Sequence, residues 1–171
     1  MRKTVKEIAK WLNVETNGFD DVVVTGVTID SRMVKEGDLF IPFRGESTNG
    51  HRYVEDAFKK GAVCSLWLKD EPNPPKGQHI LFVDDSEQAL QQMARKYREE
   101  LRAKIVGVTG SNGKTSTKDI LASLLTPYYK VQKTIGNFNN ELGLPLTILS
   151  LDEDTEIAVL EMGMSGFGAI E

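Results

Sequence analysis

The stretch "VGVTGSNGKTSTKDI", Val106–Ile120, decides the fold of the second half of this chain of 171 residues. Its apolar start predicts a β-strand, and the residues from Lys114 predict a helix that ends before Pro127. Gly110 and Gly113 lie between the two, where the backbone has to turn tightly. A strand that passes through a glycine-rich turn into a helix is typical of a parallel α/β sheet. The apolar side of the helix is predicted to consist of Ile120, Leu121, Leu124 and Leu125.

Strands and helices also alternate on both sides of this stretch. A helix is predicted from Thr4 to Asn13, opened by a capping box of Thr4 and Glu7, and another from Ser86, as its N-cap, to about Ala103. A further helix is predicted within residues 50–62, and β-strands within residues 21–32, 38–43, 62–68, 79–83, 104–110, 130–134 and 156–163. The predicted fold class is therefore α/β with a parallel sheet, and we place a domain boundary near Arg102.

The composition argues against several classes of function. The chain is 40% hydrophobic and 27% charged with a formal net charge of −4, so it has no excess of Lys and Arg for binding nucleic acid. The single cysteine, Cys64, lies in an apolar run and is interpreted as a buried small hydrophobe. One cysteine with two histidines argues against a zinc cluster. The sequence has neither a signal-peptide pattern nor an apolar stretch that could span a bilayer, so we expect a cytoplasmic protein without membrane insertion.

The turn between the strand and the helix has the residues of a phosphate-binding loop. Glycines let successive backbone N–H groups converge on phosphate oxygens, and the positive end of the following helix strengthens the attraction. Lys114 can neutralise terminal phosphates, and the hydroxyl of Thr115 can ligate Mg²⁺. The general motif G-x-x-x-x-G-K-[ST] has a glycine where this chain has Val108, so an ordinary glycine-rich βα turn is the alternative.

Two further polar features accompany the loop. Glu161 ends the apolar run "IAVLE", and in a parallel sheet the carboxyl end of a neighbouring strand faces the phosphates, where a carboxylate can hold Mg²⁺. A surface glutamate at a strand end is the alternative. Asn137, Asn139 and Asn140 cluster in "GNFNNELG", where they either satisfy a turn or point at phosphate, metal or substrate.

Several segments resemble one family, the Mur ligases, which form amide bonds in bacterial cell-wall precursor synthesis. "VGVTGSNGKTSTKD" resembles the family's ATP loop, whose TG-x-N-G-K-T form accounts for Val108, and "AVLEMG" resembles its metal-binding Glu strand. "GNFNNELGLPLTIL" resembles the branch that adds D-alanyl-D-alanine. "GVTIDSRMVKEGDLFIPFRGESTNGHRYVEDAFKKGA" resembles the family's uridine-nucleotide-binding domain, so the resemblance covers nearly the whole chain.

The resemblance implies a role for each candidate residue. Residues 1–102 would form a small α/β UDP-sugar-binding domain, and residues 103–171 would form the first part of a P-loop parallel-sheet ATP-binding domain. Lys114 would be catalytic, and Thr115 and Glu161 would hold Mg²⁺. The ATP-binding residues would be Thr109, Gly110, Ser111, Asn112, Gly113, Lys114 and Thr115. Asn137, Asn139 and Asn140 would lie near the metal or the substrate.

The resemblance also implies a binding site in the N-terminal domain. The UDP-linked substrate would be bound by Asp30, Ser31, Arg32, Arg44, Gly45 and Glu46. From the residues alone, Asp30-Ser31-Arg32 is better interpreted as a plain turn with a solvated arginine. His51 is interpreted as a residue of a helix start rather than as a catalytic base.

The implied reaction is ATP-dependent amide synthesis for peptidoglycan, a step on which cell shape and division depend. The carboxylate of UDP-N-acetylmuramoyl-tripeptide would attack the γ-phosphate of ATP to form an acyl phosphate, and the amine of D-alanyl-D-alanine would then displace phosphate. The protein would contribute positioning and charge neutralisation. Neither the oligomeric state nor the third residue of the tripeptide is implied.

The family's enzymes have three domains, so this chain is expected to be a truncated piece that stops inside the second. The resemblance implies that it lacks the modified lysine of the metal site, the adenine contacts and the C-terminal domain. We therefore expect no ligase activity from the 171 residues alone, although weak UDP-nucleotide binding could survive.

Three alternatives stay open at this point. The first is the sister ligase of the same family, which adds the third amino acid to the UDP-linked dipeptide. The second is a P-loop kinase or NTPase of another class, which would not depend on D-alanyl-D-alanine. The third is a non-catalytic UDP-sugar-binding module, in which Lys114→Ala would leave nucleotide-sugar binding intact.

Overall fold

The computed structural model describes residues 1–45, 48–136 and 141–163 of a chain that divides into two compact units, Met1–Lys96 and Tyr97–Glu171. Both units mix α-helices with β-strands. The larger sheet described in each unit is parallel, which confirms the predicted fold class. Parallel neighbours need crossover connections, and the predicted alternation of strands and helices supplies them.

Among the residues that the structure describes in the first unit, four strands form a parallel sheet of order β3-β4-β5-β6, and β1 pairs with β2 in a short antiparallel ladder. A 3-10 helix, Gly50–Tyr53, precedes its second α-helix. The other elements are β1 (Lys3–Thr4), α1 (Val5–Leu12), β2 (Val23–Val24), β3 (Gly26–Thr28), β4 (Asp38–Phe40), α2 (Val54–Lys59), β5 (Cys64–Leu68), β6 (Ile80–Val83) and the greater part of α3 (Ser86–Glu100), whose last turn is counted with the second unit.

The caps of α1 and α3 test two predictions. Thr4 caps α1 as predicted, because its hydroxyl accepts the Glu7 N–H at 3.2 Å while the Glu7 carboxylate accepts the Thr4 N–H at 2.8 Å. The prediction that Ser86 caps α3 is wrong. Asp85 takes that role by accepting the N–H of Gln88 at 2.7 Å, and the buried Ser86 hydroxyl donates instead to the carbonyl of Pro42 at 2.8 Å.

The core of the first unit lies between its sheet and helices. Every residue of β4 and β5 is buried. Cys64 is among them, and burial raises the pKa of its thiol to about 12, so it is the inert hydrophobe that the sequence predicts. One cluster of packed apolar side chains consists of Phe40, Val54, Ala57, Ala62, Trp67 and Ile80.

In the second unit, the described residues form a three-stranded parallel sheet of order β7-β9-β8. Its elements are β7 (Lys104–Val108), α4 (Lys114–Leu125), β8 (Val131–Lys133), α5 (Gly143–Ser150) and β9 (Ile157–Glu161). No element is predicted from the sequence over α5. This helix is apolar on all sides rather than amphipathic, and its proline, Pro145, lies in the first turn, where the missing N–H has no helical partner to lose.

The packing of α4 differs from the predicted apolar side. Leu121, Ala122 and Leu125 pack towards the sheet, whereas Ile120 and Leu124 are 62% and 66% exposed. The prediction is therefore right for Leu121 and Leu125 and wrong for Ile120 and Leu124. The buried stripe is shifted by one residue along the helix, which is a rotation of about 100° about the helix axis.

Candidate active site

The glycine-rich turn joins β7 to α4 through two residues with positive φ. Gly110 has a φ of 149° and Gly113 a φ of 76°, both unfavourable for a residue with a Cβ. Gly113 is the N-cap of α4 and its backbone is left-handed, so no side chain caps the first amides of this helix. The result is a helix N-terminus whose N–H groups are available to an anion.

Lys114 bends back over this turn. Its ammonium donates to the carbonyl of Gly110 at 2.7 Å, so the charge lies beside the loop rather than in open solvent. Thr109, Ser111 and Asn112, which complete the predicted phosphate-binding residues, are exposed along the same loop. Exposed loop residues and the lysine ammonium thus lie together at the start of the helix, an arrangement suited to phosphate oxygens.

The register of the sheet places the predicted acid beside the loop. Val108, the last residue of β7, is paired with Glu161, the last residue of β9. Glu161 is only 3% exposed, and its Oε2 accepts the Thr115 hydroxyl at 3.0 Å. Its N–H donates to the hydroxyl of Thr134, which follows β8, at 2.9 Å. The carboxyl ends of β8 and β9 and the first turn of α4 therefore contribute to one polar cluster, beside the end of β7.

Lys118 belongs to this cluster, and the sequence analysis missed it. Its ammonium lies 3.5 Å from the same Glu161 Oε2, and the lysine side chain is 3% exposed. A signal was available, because a residue three positions after Thr115 lies on the same face of the helix.

The oxygen pair of Thr115 and Glu161 fits Mg²⁺. Hydroxyl and carboxylate oxygens are the hard ligands that this ion prefers, and adjacent corners of an octahedron with metal–oxygen distances of about 2.0–2.1 Å lie about 2.9 Å apart. The observed separation is 3.0 Å. The described residues contain no group of three or more His, Cys, Asp or Glu that could hold a metal. Phosphate oxygens and water would therefore have to complete the coordination.

The predicted residues after β3 form a compact turn. Arg32 donates to both carboxylate oxygens of Asp30, at 2.9 Å from Nε to Oδ1 and 2.6 Å from Nη2 to Oδ2. This guanidinium lowers the pKa of Asp30 to about 2. Lys60 donates to the carbonyl of Ser31 at 3.0 Å. The turn predicted from the residues alone is present, and its arginine side chain is 84% exposed.

Arg44 lies after β4 and has different partners. Its guanidinium donates to both oxygens of Asp70 at 2.9 Å and to Glu71 Oε2 at 2.7 and 2.9 Å, which lowers the pKa of both carboxyl groups. Gly45 donates its N–H to the carbonyl of Thr48 at 2.8 Å. Arg44 thus ties the loop after β4 to the segment after β5, whereas no described contact joins it to Asp30 or Arg32.

His51 anchors the far end of the same loop. Its ring Nδ1 lies 2.8 Å from the Asn49 side-chain oxygen, and its Nε2 accepts the Leu68 N–H at 3.2 Å, which fixes a neutral ring with the proton on Nδ1. Asn49 in turn donates to Glu71 at 2.9 Å and caps the 3-10 helix. The interpretation of His51 as a helix-start residue agrees with this position.

We expect the first unit to lose stability as the pH falls below about 6.5, the ordinary pKa of histidine. Burial lowers the pKa of His51 in the folded chain, more than the attraction of Glu71 raises it. The stabilisation is therefore complete above the unfolded-state pKa and is lost towards the lower folded-state pKa, at up to about 1.4 kcal/mol per pH unit. Urea unfolding followed by tryptophan fluorescence at a series of pH values measures the effect.

His51→Gln removes the titrating group and should flatten the stability profile below about pH 6.5, the ordinary pKa of histidine. A slope in His51→Gln equal to that of the unaltered chain would contradict the assignment.

Some predicted site residues cannot be placed. Glu46, Asn137, Asn139 and Asn140 lie outside the described residues. The turn and site interpretations of the asparagines therefore both stay predictions.

Comparisons with known proteins all identify the same family. The profile of the Mur ligase family catalytic domain matches residues 23–98, and that of the Mur ligase middle domain matches residues 108–171. The chain is 47% identical, over its whole length, to the UDP-N-acetylmuramoyl-tripeptide–D-alanyl-D-alanine ligase of Bacillus subtilis (strain 168), of which it spans 38%.

Solved structures agree with this result. The D-alanyl-D-alanyl ligase of Acinetobacter baumannii matches 99% of this chain with 38% of its own, at a TM-score of 0.85 and 28% identity. The MurF ligase of Thermotoga maritima, solved in complex with ADP, matches 86% of this chain with 34% of its own, at a TM-score of 0.74 and 38% identity. From the two matched profiles and these relatives together, the chain belongs to the Mur ligase family.

Proposed function

We propose that this chain provides the nucleotide-sugar-binding unit and the phosphate loop of an ATP-dependent ligase that joins D-alanyl-D-alanine to UDP-N-acetylmuramoyl-tripeptide. The observation that carries the proposal is the contact of Thr115 with the buried Glu161 beside the turn that ends in Gly113 and Lys114. The relatives support the choice of substrates, since the Bacillus subtilis protein is named for this reaction and is 47% identical over the whole chain.

The loop acts on the phosphates of ATP. Backbone N–H groups from Gly110 to Gly113 bind the β- and γ-phosphate oxygens, supported by the positive end of α4. Lys114 leaves the Gly110 carbonyl, 2.7 Å away, and moves onto the charge that develops as the γ-phosphoryl group is transferred. This transfer to the tripeptide carboxylate releases ADP and forms an acyl phosphate, and the amine of D-alanyl-D-alanine then displaces inorganic phosphate to form the amide.

Thr115 and Glu161 are the residues that would hold Mg²⁺ in this scheme. When bound, the ion would neutralise phosphate charge and orient the terminal phosphoryl group. Thr115 is positioned by the first turn of α4, and Glu161 by the end of β9 and the hydrogen bond from its N–H to Thr134 at 2.9 Å. Neither side chain would need to move far to coordinate the same ion, because the Thr115 hydroxyl oxygen and Glu161 Oε2 are 3.0 Å apart.

The first unit binds the uridine nucleotide in this proposal. The residues proposed for it are Asp30, Ser31, Arg32, Arg44, Gly45 and Glu46. Both arginines are paired with carboxylates, Arg32 with Asp30, and Arg44 with Asp70 and Glu71. The Arg32 side chain is 84% exposed, so a diphosphate would have to reach it from solvent and compete with Asp30, whereas Arg44 acts by fixing its loop. Among the described residues, no helix is long and apolar enough to cross a membrane, and the cytoplasmic location stays a prediction.

A chimera tests the proposal directly. In it, this chain replaces the aligned segment of the Bacillus subtilis ligase, to which it is 47% identical. We expect phosphate release from ATP and a new amide product, both dependent on UDP-N-acetylmuramoyl-tripeptide and D-alanyl-D-alanine. Coupled phosphate detection and mass spectrometry of the product measure the two readouts.

Other outcomes distinguish the alternatives. Turnover with a UDP-linked dipeptide and a single amino acid would favour the sister ligase, and phosphate release without any acceptor would favour an NTPase. If the chimera does not fold, calorimetric titration of the 171-residue chain with ATP and Mg²⁺ tests the proposed phosphate loop instead. Binding that does not depend on Lys114 would then contradict the proposed loop.

A further inference from the structure

The buried carboxylate of Glu161 has a counter-charge from this chain. Lys118 Nζ lies 3.5 Å from Glu161 Oε2, and both side chains are 3% exposed. The same Oε2 accepts the Thr115 hydroxyl at 3.0 Å. The oxygen assigned to a divalent cation is therefore also the oxygen that faces the ammonium group.

The neighbouring charges make this a locally neutral pair. Asp119 lies 3.8 Å from Lys118, but its side chain is 48% exposed and is paired with Lys133 at 2.8 Å. Solvent screens that exposed pair, whereas the buried charges of Lys118 and Glu161 act on each other in a medium of lower dielectric constant. Glu161 is thus the buried partner of Lys118.

We propose that Lys118 neutralises Glu161 so that the divalent cation binds together with the nucleotide and not ahead of it. This inference rests on the metal site of the proposed function. A neutral pair attracts a free cation weakly, and the ammonium repels a cation that approaches the same oxygen. The phosphates of a nucleotide bring enough negative charge to outweigh this repulsion. Lys118 is therefore a positioning residue that makes metal binding conditional on the nucleotide.

A purely mechanical role is the competing explanation. An ion pair between α4 and β9 would also hold the two elements together, and its removal would destabilise the unit in either case. Only the charge role predicts a change in the affinity for a free cation. A conservative arginine at position 118 keeps the charge, so it should behave like lysine in that measurement.

Mn²⁺ titration of the 171-residue chain, followed by electron paramagnetic resonance, tests the proposal. In the unaltered chain, we expect Mn²⁺ to bind at least about tenfold more tightly when ADP is present. Lys118→Met should bind Mn²⁺ without ADP at least about tenfold more tightly than the unaltered chain, and Lys118→Arg should not. The double variant Lys118→Met/Glu161→Gln should lose the gained affinity, which places the ion at Glu161.

The outcomes separate this inference from the proposed function. If Lys118→Met is folded by circular dichroism and its affinity for free Mn²⁺ stays within about twofold of the unaltered chain, the charge role is wrong and the ligase proposal stands. If that variant does not fold, the inference is tested on the unaltered chain alone. Mn²⁺ binding to this chain that is equally tight with and without ADP would overturn the inference. Failure of the unaltered chain to bind Mn²⁺ with ADP would overturn both.

Discussion

In the chimeric ligase, Lys114→Ala lowers the rate of phosphate release at least about a hundredfold, which is the usual cost of removing one group that stabilises transition-state charge. The ammonium already lies at the loop, 2.7 Å from the Gly110 carbonyl, so it needs only to exchange that oxygen for a phosphate oxygen. Steady-state kinetics with saturating substrates measure the loss. Since the charge acts on the transition state more than on bound ATP, kcat should fall more than KM rises.

The matched control for Lys114 is Lys104, at the opposite end of β7. Its side chain is exposed, and its backbone N–H bond to the carbonyl of Glu156, at 2.9 Å, survives truncation of the side chain. Lys104→Ala should keep phosphate release within about twofold of the unaltered chimera. Comparable losses of rate in the two variants would mean that the net charge of the protein, rather than the ammonium of Lys114 at the loop, determines the rate of phosphate release.

Glu161→Gln should lower the free energy of unfolding of the second unit by about 3 kcal/mol, because it leaves the ammonium of Lys118 buried without its counter-charge. Both side chains are 3% exposed, so water cannot replace the lost partner without opening the packing. Urea unfolding followed by far-UV circular dichroism measures the change.

A second substitution tests the cause of this loss. Lys118→Met/Glu161→Gln removes both charges and should recover at least roughly half of the lost stability, since a neutral pair carries no uncompensated charge. A double variant that is less stable than Glu161→Gln alone would show that packing, and not charge, accounts for the destabilisation.

Much of the fold could be predicted because the sequence carries local signals for it. The capping box of Thr4 and Glu7, the glycines of the loop and the apolar run that ends at Glu161 each specify their own structure from neighbouring residues. The parallel sheets followed from the alternation of strands and helices. The alternation of strands and helices does not determine the order of the strands in the sheet. Only the tertiary structure shows that β9 lies between β7 and β8.

The prediction of the site had the same limit. Gly113, Lys114 and Thr115 could be identified from their spacing, and Glu161 from its place at a strand end. The spacing from Thr115 puts Lys118 on the same face of α4, but a lysine on a helix is ordinarily solvated, and its burial follows only from β9 lying beside α4. The rotation of α4 that exposes Ile120 and Leu124 is likewise set by packing rather than by the sequence pattern.

The central place of β9 has a consequence for how the second unit forms. β7 and β8 do not pair with each other. Each of them pairs with β9, beginning at Ile157. During synthesis, the ribosome delivers the glycine turn and its helix long before the strand that joins them into a sheet. Folding of this unit is therefore governed by late, long-range pairing, which is intrinsically slow. A nascent chain halted before β9 emerges would hold every loop residue and still lack the scaffold that makes them a site.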